Sequence, residues 1–226
     1  MPQQTLPYGF SSEHCVNSIP ASSLSTRGNF KKGFGFGHDP QGKTLGILGM
    51  GTIGRAVKRR AEPFGLKTIY HNRNPLSETE AVGAEYVSFD QLLAESDIIS
   101  LHAPLNAKTR HLIGTKEIEK MKDGVVIANS ARGAVIDEGA MAAAFESGKI
   151  ASVGLDVHEK EPEINESLMK NSHALLVPHL GTHTTETLAK MEPLAMENAR
   201  RGCFGEPFLT VVAERLEMAN VLANGY

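Results

Sequence analysis

Thr44-Leu45-Gly46-Ile47-Leu48-Gly49-Met50-Gly51-Thr52-Ile53-Gly54-Arg55 decides the fold. Residues 44–49 read as a short apolar strand, and residues 52–64 carry the spacing of an amphipathic helix. Between them Gly49, Gly51 and Gly54 fall as G-x-G-x-x-G. With 22 glycines in 226 residues the bare match is weak. The strand directly before it and the helix directly after it are what the motif's mechanics require. Gly49 permits the tight turn, Gly51 lets a pyrophosphate approach the backbone, and Gly54 lets the helix pack on the strand. The open amides at the helix start then face the phosphates.

Working outward, strands alternate with helices. Strands are expected at 67–70, 97–101, 125–128, 152–155 and 174–177, and helices at 89–95, 115–121 and 137–147. A closing helix is expected at 184–201, with Pro193 as a kink. Short strands separated by helices imply an α/β protein: a doubly wound parallel sheet (Rossmann fold) in a single main domain. Residues 41–205 form that dinucleotide-binding domain. Residues 1–40, rich in Ser, Gly, Pro and Asn, read as a poorly structured N-terminal remnant, and residues 206–226 as a C-terminal tail.

An acidic residue normally ends the second strand of such a domain and holds the ribose 2′-OH. Here the position is Asn72, followed by Arg73. A carboxylate would repel a 2′-phosphate, whereas Arg73 can pair with one in bidentate fashion. NADP is therefore favoured over NAD, with dual use open because Asn72 can still bond a 2′-OH.

Composition narrows the remaining classes. Lys and Arg number 23 against 26 Asp and Glu, a net charge of −3, which gives no electrostatic reason to expect nucleic acid. Apolar residues make up 41%, enough for a real core. No apolar run approaches the ~20 residues of a membrane span, and residues 1–10 lack a signal core. Cys15 and Cys203 suggest neither a disulfide framework nor a metal site, and no histidine spacing makes a metal pattern. A cytoplasmic protein without metal or membrane partner is the expectation.

Three segments lie just past strand ends, where open α/β sheets bind ligands. They are Asn129-Ser130-Ala131-Arg132-Gly133, Gly154-Leu155-Asp156-Val157-His158-Glu159-Lys160-Glu161-Pro162 and Val177-Pro178-His179-Leu180-Gly181. Arginine, glutamate and histidine suit proton-coupled hydride transfer: a cation to grip a carboxylate, a base, and a carboxylate to orient it. Plainer roles stand beside these. Arg132 could be a surface salt-bridge partner, Glu161 part of a solvated acidic loop with Glu159 and Glu163, His179 a satisfied strand-end histidine, and Asp156 a turn residue.

In order and wording these segments resemble the D-isomer-specific 2-hydroxyacid dehydrogenase family, within it the glyoxylate/hydroxypyruvate reductase and D-mandelate dehydrogenase branches. The likeness also takes in Gly42-Lys43-Thr44-Leu45-Gly46-Ile47, Leu101-His102-Ala103-Pro104-Leu105, Thr109 and Leu112-Ile113-Gly114, and runs from about Gly42 to Val212. The resemblance implies an oxidoreductase that interconverts a small 2-keto acid and a D-2-hydroxy acid with NADP or NAD. It implies that Arg132 binds the substrate carboxylate, that His179 is the acid and base, and that Glu161 holds its imidazole. Thr52 and Ile53 would approach the pyrophosphate, and Asn72 and Arg73 the adenosine ribose. Ser130, Ala131 and Asp156 would meet the nicotinamide side, and Gly181 would line the cofactor.

Family members carry a substrate domain ahead of the cofactor domain, and a homodimer contact near the hinge. Only 43 residues precede Thr44, below the ~50 of an independent domain. The expectation is a cofactor domain without most of its substrate domain, with turnover impaired and dimerisation less secure. The alternative is a catalytically inactive dinucleotide-binding module, corepressor-like or a truncated paralogue.

Overall fold

The computed structural model describes residues 37–211. The described residues divide into two compact units, one up to Gly181 and one from Thr182 onward.

The larger unit is built on seven strands: β1 (Thr44–Leu48), β2 (Lys67–His71), β3 (Glu85–Tyr86), β4 (Ile98–Leu101), β5 (Val125–Asn129), β6 (Ile150–Leu155) and β7 (Ala174–Leu176). They form one sheet in the order β3-β2-β1-β4-β5-β6-β7, and every pair is parallel. The helices between them are α1 (Thr52–Ala61), α2 (Glu78–Ala81), α3 (Phe89–Glu95), α4 (Thr115–Lys120), α5 (Glu138–Glu146) and α6 (Glu166–Lys170).

Alternation along the strands sends side chains to two cores, one on each face of the sheet. Leu45 and Ile47 of β1 join Tyr70, Ile98 and the α1 residues Val57 and Ala61 on one face. Leu48 joins Ile69, Ile99 and Leu101 on the other, with Leu92 of α3, Ile118 of α4 and Phe145 of α5. Central strands buried on both faces read as continuous apolar runs, and all four residues of β4 are buried.

Local signals set the helix ends. Ser88 and Gln91 close a reciprocal capping box on α3, and the Asp137 carboxylate accepts from the Ala140 amide at 2.9 Å to start α5. The helix expected at 52–64 stops at Ala61 and continues as a single 3-10 turn, Glu62–Phe64, because Pro63 has no N–H to extend an α-helical ladder.

In the smaller unit, α7 (Thr185–Cys203) begins on the Thr184 hydroxyl, which accepts from the Thr187 amide at 3.2 Å. Pro193 lies inside this helix without ending it. Its last turns carry a carboxylate–guanidinium cluster in which Glu197 pairs with Arg200 at 2.9 Å and with Arg201 at 2.8 Å. Among the described residues no helix is long and apolar enough to cross a membrane.

Candidate active and cofactor site

The strand order reverses between β1 and β4, so their carboxyl ends flank a crevice of the kind that holds ligands in doubly wound sheets. The glycine loop sits there. Gly49 has φ +96°, and a Cβ on it would lie 2.7 Å from the Ala103 nitrogen and the His102 carbonyl carbon. A Cβ at Gly54 would lie 2.8 Å from the Gly49 carbonyl oxygen. At Gly51, by contrast, a Cβ would meet no protein atom, so that glycine leaves room on the outer side of the loop.

Helix α1 then starts without a side-chain cap and without an acidic residue in its first turn. Its open amides and positive dipole end are free to meet an anion. Together, the open face at Gly51 and the uncapped helix start fit the pyrophosphate of a dinucleotide.

Asn72 supports this loop from behind. Its Oδ1 accepts from the Met50 amide at 2.6 Å, and the neighbouring Gly49 amide donates to the His71 carbonyl at 3.0 Å. The Asn72 carbonyl in turn accepts from the Tyr86 hydroxyl at 3.3 Å. Asn72 thus spends its side-chain oxygen on the loop. Arg73 is exposed beside it and makes no ion pair among the described residues.

The other three sequence segments come together past β5, β6 and β7. Asn129 is fully buried; its Oδ1 accepts from the Ala131 amide and its Nδ2 donates to the Arg132 carbonyl, both at 3.0 Å. This closes a tight turn through the half-buried Ser130 and Ala131 and leaves Arg132 exposed at its tip. The Arg132 guanidinium donates to the Ala131 carbonyl at 2.6 Å and forms no salt bridge among the described residues. The surface ion-pair alternative is therefore not what the structure has. Next to it, a Cβ on Gly133 would overlap the His158 carbonyl and the Glu159 nitrogen, so only glycine lets the β5 and β6 loops touch.

Asp156 is buried and accepts from the Leu180 amide at 2.6 Å and the Gly181 amide at 2.9 Å, one with each oxygen. It fastens the β7 loop, and the Asp156 amide is itself held by the Asn129 carbonyl at 3.0 Å. Glu161 completes the site. Its Oε2 lies 3.0 Å from Nδ1 of His179, and its Oε1 accepts from the His158 amide at 3.0 Å. The hydrogen bond from His179 holds the Glu161 carboxyl below the ordinary carboxylate range; partial burial pulls the other way, and the His158 amide and both histidine charges add to the lowering. A carboxylate only accepts, so Nδ1 of His179 carries the proton in this bond, and Nε2 has no hydrogen-bond partner among the described residues. His179 stands at φ +55°, a left-handed conformation uncommon outside glycine.

Two further histidines lie outside the expected site. Burial drives the His102 pKa down to about 4, so this ring is neutral near pH 7, with its Nε2 2.8 Å from the Ser100 hydroxyl. His158 is buried, with neither ring nitrogen hydrogen-bonded among the described residues. The sequence reasoning missed the turn-closing role of Asn129, for which an Asn at a strand end before a small-residue turn is a usable signal. It also placed Glu159 in a solvated acidic loop, whereas its side chain is only 14% exposed and bonded on both oxygens.

A cavity of about 490 Å³ opens at the opposite, amino ends of the strands, lined by Lys43, Asp97, Lys122 and His173 among others. Lys122 and Asp97 pair there at 3.0 Å, and ligands of open α/β sheets bind at the other end.

The D-isomer specific 2-hydroxyacid dehydrogenase, NAD binding domain, family matches residues 13–181, beginning upstream of the Gly42 at which the sequence resemblance starts. Glyoxylate reductase 1 of Saccharomyces cerevisiae is 55% identical over 180 residues, 79% of this chain and 51% of that protein. The 4-methyl-2-oxopentanoate reductase A of Aspergillus oryzae is 51% identical over 197 residues, 87% of this chain and 60% of that protein. The crystal structure of a glyoxylate reductase from Paecilomyes thermophila superposes with a TM-score of 0.86 at 50% identity, over 93% of this chain and 67% of that one. The holo form of Rhodotorula graminis D-mandelate dehydrogenase gives 0.83 at 35% identity, over 89% and 62%. The chain spans about half the length of the curated relatives it matches. A parallel Rossmann sheet, a glycine loop fitted to a nicotinamide dinucleotide and a match over three quarters of the sequence agree: the chain belongs to the D-isomer specific 2-hydroxyacid dehydrogenase family.

Proposed function

We propose that this chain carries the chemistry of an NAD(P)-dependent reductase that interconverts a 2-keto acid, of the glyoxylate or hydroxypyruvate type, with a D-2-hydroxy acid. The observation that carries the reading is the His179–Glu161 pair, Nδ1 to Oε2 at 3.0 Å, with Nε2 unbonded among the described residues. The relatives named above act, by their names, on glyoxylate, on 4-methyl-2-oxopentanoate and on mandelate. All share a carboxylate next to the reacting carbon, which is what an unpaired Arg132 suits.

The bound nicotinamide would exchange a hydride with C2 of the substrate. Arg132 binds the substrate carboxylate and sets which carbon is presented. His179 gives the Nε2 proton to the keto oxygen in reduction and takes it back in oxidation, while Glu161 keeps the ring oriented and its charge compensated. Gly49, Gly51, Thr52, Ile53 and Gly54 hold the pyrophosphate, and Asn72 and Arg73 hold the adenosine ribose, Arg73 favouring a 2′-phosphate. Ser130, Ala131, Asp156 and Gly181 form the nicotinamide side, Asp156 chiefly by fixing the Leu180 and Gly181 amides. Residues 41–205 are the working cofactor domain, in a cytoplasmic protein.

The test is to titrate the chain with NADPH and NADH by fluorescence and then to assay glyoxylate, hydroxypyruvate and phenylglyoxylate. Saturable binding with turnover of one of these acids is expected. Binding without turnover on any of them leaves a dinucleotide-binding module and overturns the reductase reading.

A further inference from the structure

Glu161 rides on the loop between β6 and α6, and a second carboxylate two residues earlier governs where that loop lies. Glu159 accepts from Arg110 at 3.0 Å and from Nε2 of His111 at 2.7 Å, both on its Oε1. Its Oε2 faces the Glu138 amide at 3.4 Å, and the Glu159 amide donates back to Glu138 Oε2 at 2.8 Å. Glu138 is buried, and its other oxygen accepts from the Asn165 amide at 3.2 Å, on the far side of the same loop.

Arg110 and His111 belong to the connection between β4 and α4. That connection is tied to the segment after Arg132: the His111 amide donates to the Ala134 carbonyl at 2.8 Å and the Ile113 amide to the Val135 carbonyl at 3.2 Å. His111 takes φ +50°, which places its ring against Glu159 at the expense of a backbone conformation that L residues rarely adopt. Asp137 Oδ2, 3.9 Å from Nδ1 of His111, is the other charged group facing that ring. The three connections that follow β4, β5 and β6 therefore meet on one carboxylate, next to the point where Gly133 lets the His158 backbone approach.

We propose that Glu159 is a positioning residue for the reacting pair: by drawing Arg110, His111 and the start of α5 onto the β6 loop, it holds the His158 amide and the Glu161 carboxylate in line with His179. The proposal rests on the functional reading above, because that reading names the reacting pair. Glu159 touches neither substrate nor cofactor in this scheme. Its effect passes through the His158 amide, whose hydrogen bond to Glu161 Oε1 sits one residue before Glu159 itself.

Amide hydrogen exchange on the full 226-residue chain tests this without any turnover. In Glu159→Ala, protection of the His158 amide falls about tenfold or more, the scale of a lost charged hydrogen bond. The Leu180 and Gly181 amides, held by Asp156, keep theirs. Glu159→Gln retains an acceptor oxygen for Arg110 and His111 and keeps most of the protection at His158. An Arg110→Ala, His111→Ala double variant reaches the same carboxylate from the other side and reproduces the loss, whether or not Glu159→Ala folds. In the active chain, kcat for glyoxylate falls with the His158 protection while KM stays near its unsubstituted value. Unchanged protection at His158, or an equal loss at every amide in the sheet, overturns the proposal. A chain that binds cofactor but reduces no keto acid overturns the functional reading alone, and the exchange pattern still decides the positioning.

Discussion

Nδ1 of His179 stands 3.0 Å from Oε2 of Glu161, and the second Glu161 oxygen is held by the His158 amide at the same distance. The carboxylate is thus anchored at one oxygen and applied with the other. That arrangement fixes the tautomer of His179 and gives the pair a pH dependence that can be measured.

The hydrogen bond from His179, stronger in its effect than the opposing burial, keeps the Glu161 carboxyl below its ordinary range in the folded chain. Its stabilising contribution is present above the unfolded value, near about pH 4.3, and is lost as pH falls through the lower folded value. Glu161→Gln is therefore less stable than the unsubstituted chain at about pH 6, and the difference closes as pH falls through the lowered folded value. Urea unfolding at a series of pH values checks this; a gap that does not change with pH contradicts it.

Among the described residues Arg132 has no ion-pair partner at the tip of the Asn129 turn. Arg132→Gln is expected to raise KM for the keto acid by one to two orders of magnitude, the scale of about 1.5–3 kcal/mol for a charged hydrogen bond. Cofactor affinity should stay near its original value. Arg132→Lys recovers only part of the loss, since an ammonium cannot make the paired contact. Steady-state kinetics with glyoxylate decides, and an unchanged KM in Arg132→Gln removes the assigned role.

Asn72 and Arg73 make separable predictions. Arg73→Ala should weaken NADPH binding about tenfold or more and NADH little, because only the former offers a 2′-phosphate. Asn72→Asp preserves the acceptor for the Met50 amide, so the glycine loop holds, but sets a carboxylate against that phosphate and turns the preference to NADH. Fluorescence titrations of both variants measure this. Equal losses for the two cofactors in Arg73→Ala would refute the preference.

His158 is buried, and among the described residues both its ring nitrogens are unbonded. Replacing it with an apolar ring removes two unsatisfied polar atoms, each of which costs about 1–3 kcal/mol when buried. His158→Phe is expected to raise the urea midpoint while leaving the His158-position amide bond to Glu161 in place. A lower midpoint shows that the imidazole is better accommodated than its contacts indicate.

Much of the fold was legible in the sequence because its central strands are buried on both faces. Runs such as Leu45 to Leu48 and Ile98 to Leu101 need no alternation to be recognised. β3 was invisible for the opposite reason: it is two exposed residues, Glu85 and Tyr86, defined only by pairing with Ile69 and Tyr70 of β2. The four-residue α2 and five-residue α6 are too short to show a helical period. β6 begins two residues earlier than expected, at Ile150, which pairs with Val125 ahead of a register shift.

At the site, the strand-end segments and their order pointed to Arg132, Glu161 and His179, and the structure brings Glu161 to His179. The cluster around Glu159 could not be found in that way. Arg110, Glu138 and Glu159 lie far apart in sequence, and an acidic run such as Glu159 to Glu163 looks solvated until its partners are placed. Nor did the sequence reveal that the two Asp156 oxygens hold the Leu180 and Gly181 amides, a contact made only once the loops after β6 and β7 come together.

The central claim is that His179 moves the proton in a nicotinamide-dependent reduction of a 2-keto acid. The direct measurement is NADPH oxidation with glyoxylate by the unsubstituted chain and by His179→Ala, with NADPH affinity measured on both. The expected result is turnover in the first, a loss of about 10²–10⁴-fold in the second, and NADPH affinity alike in the two. Turnover that survives the substitution contradicts the account.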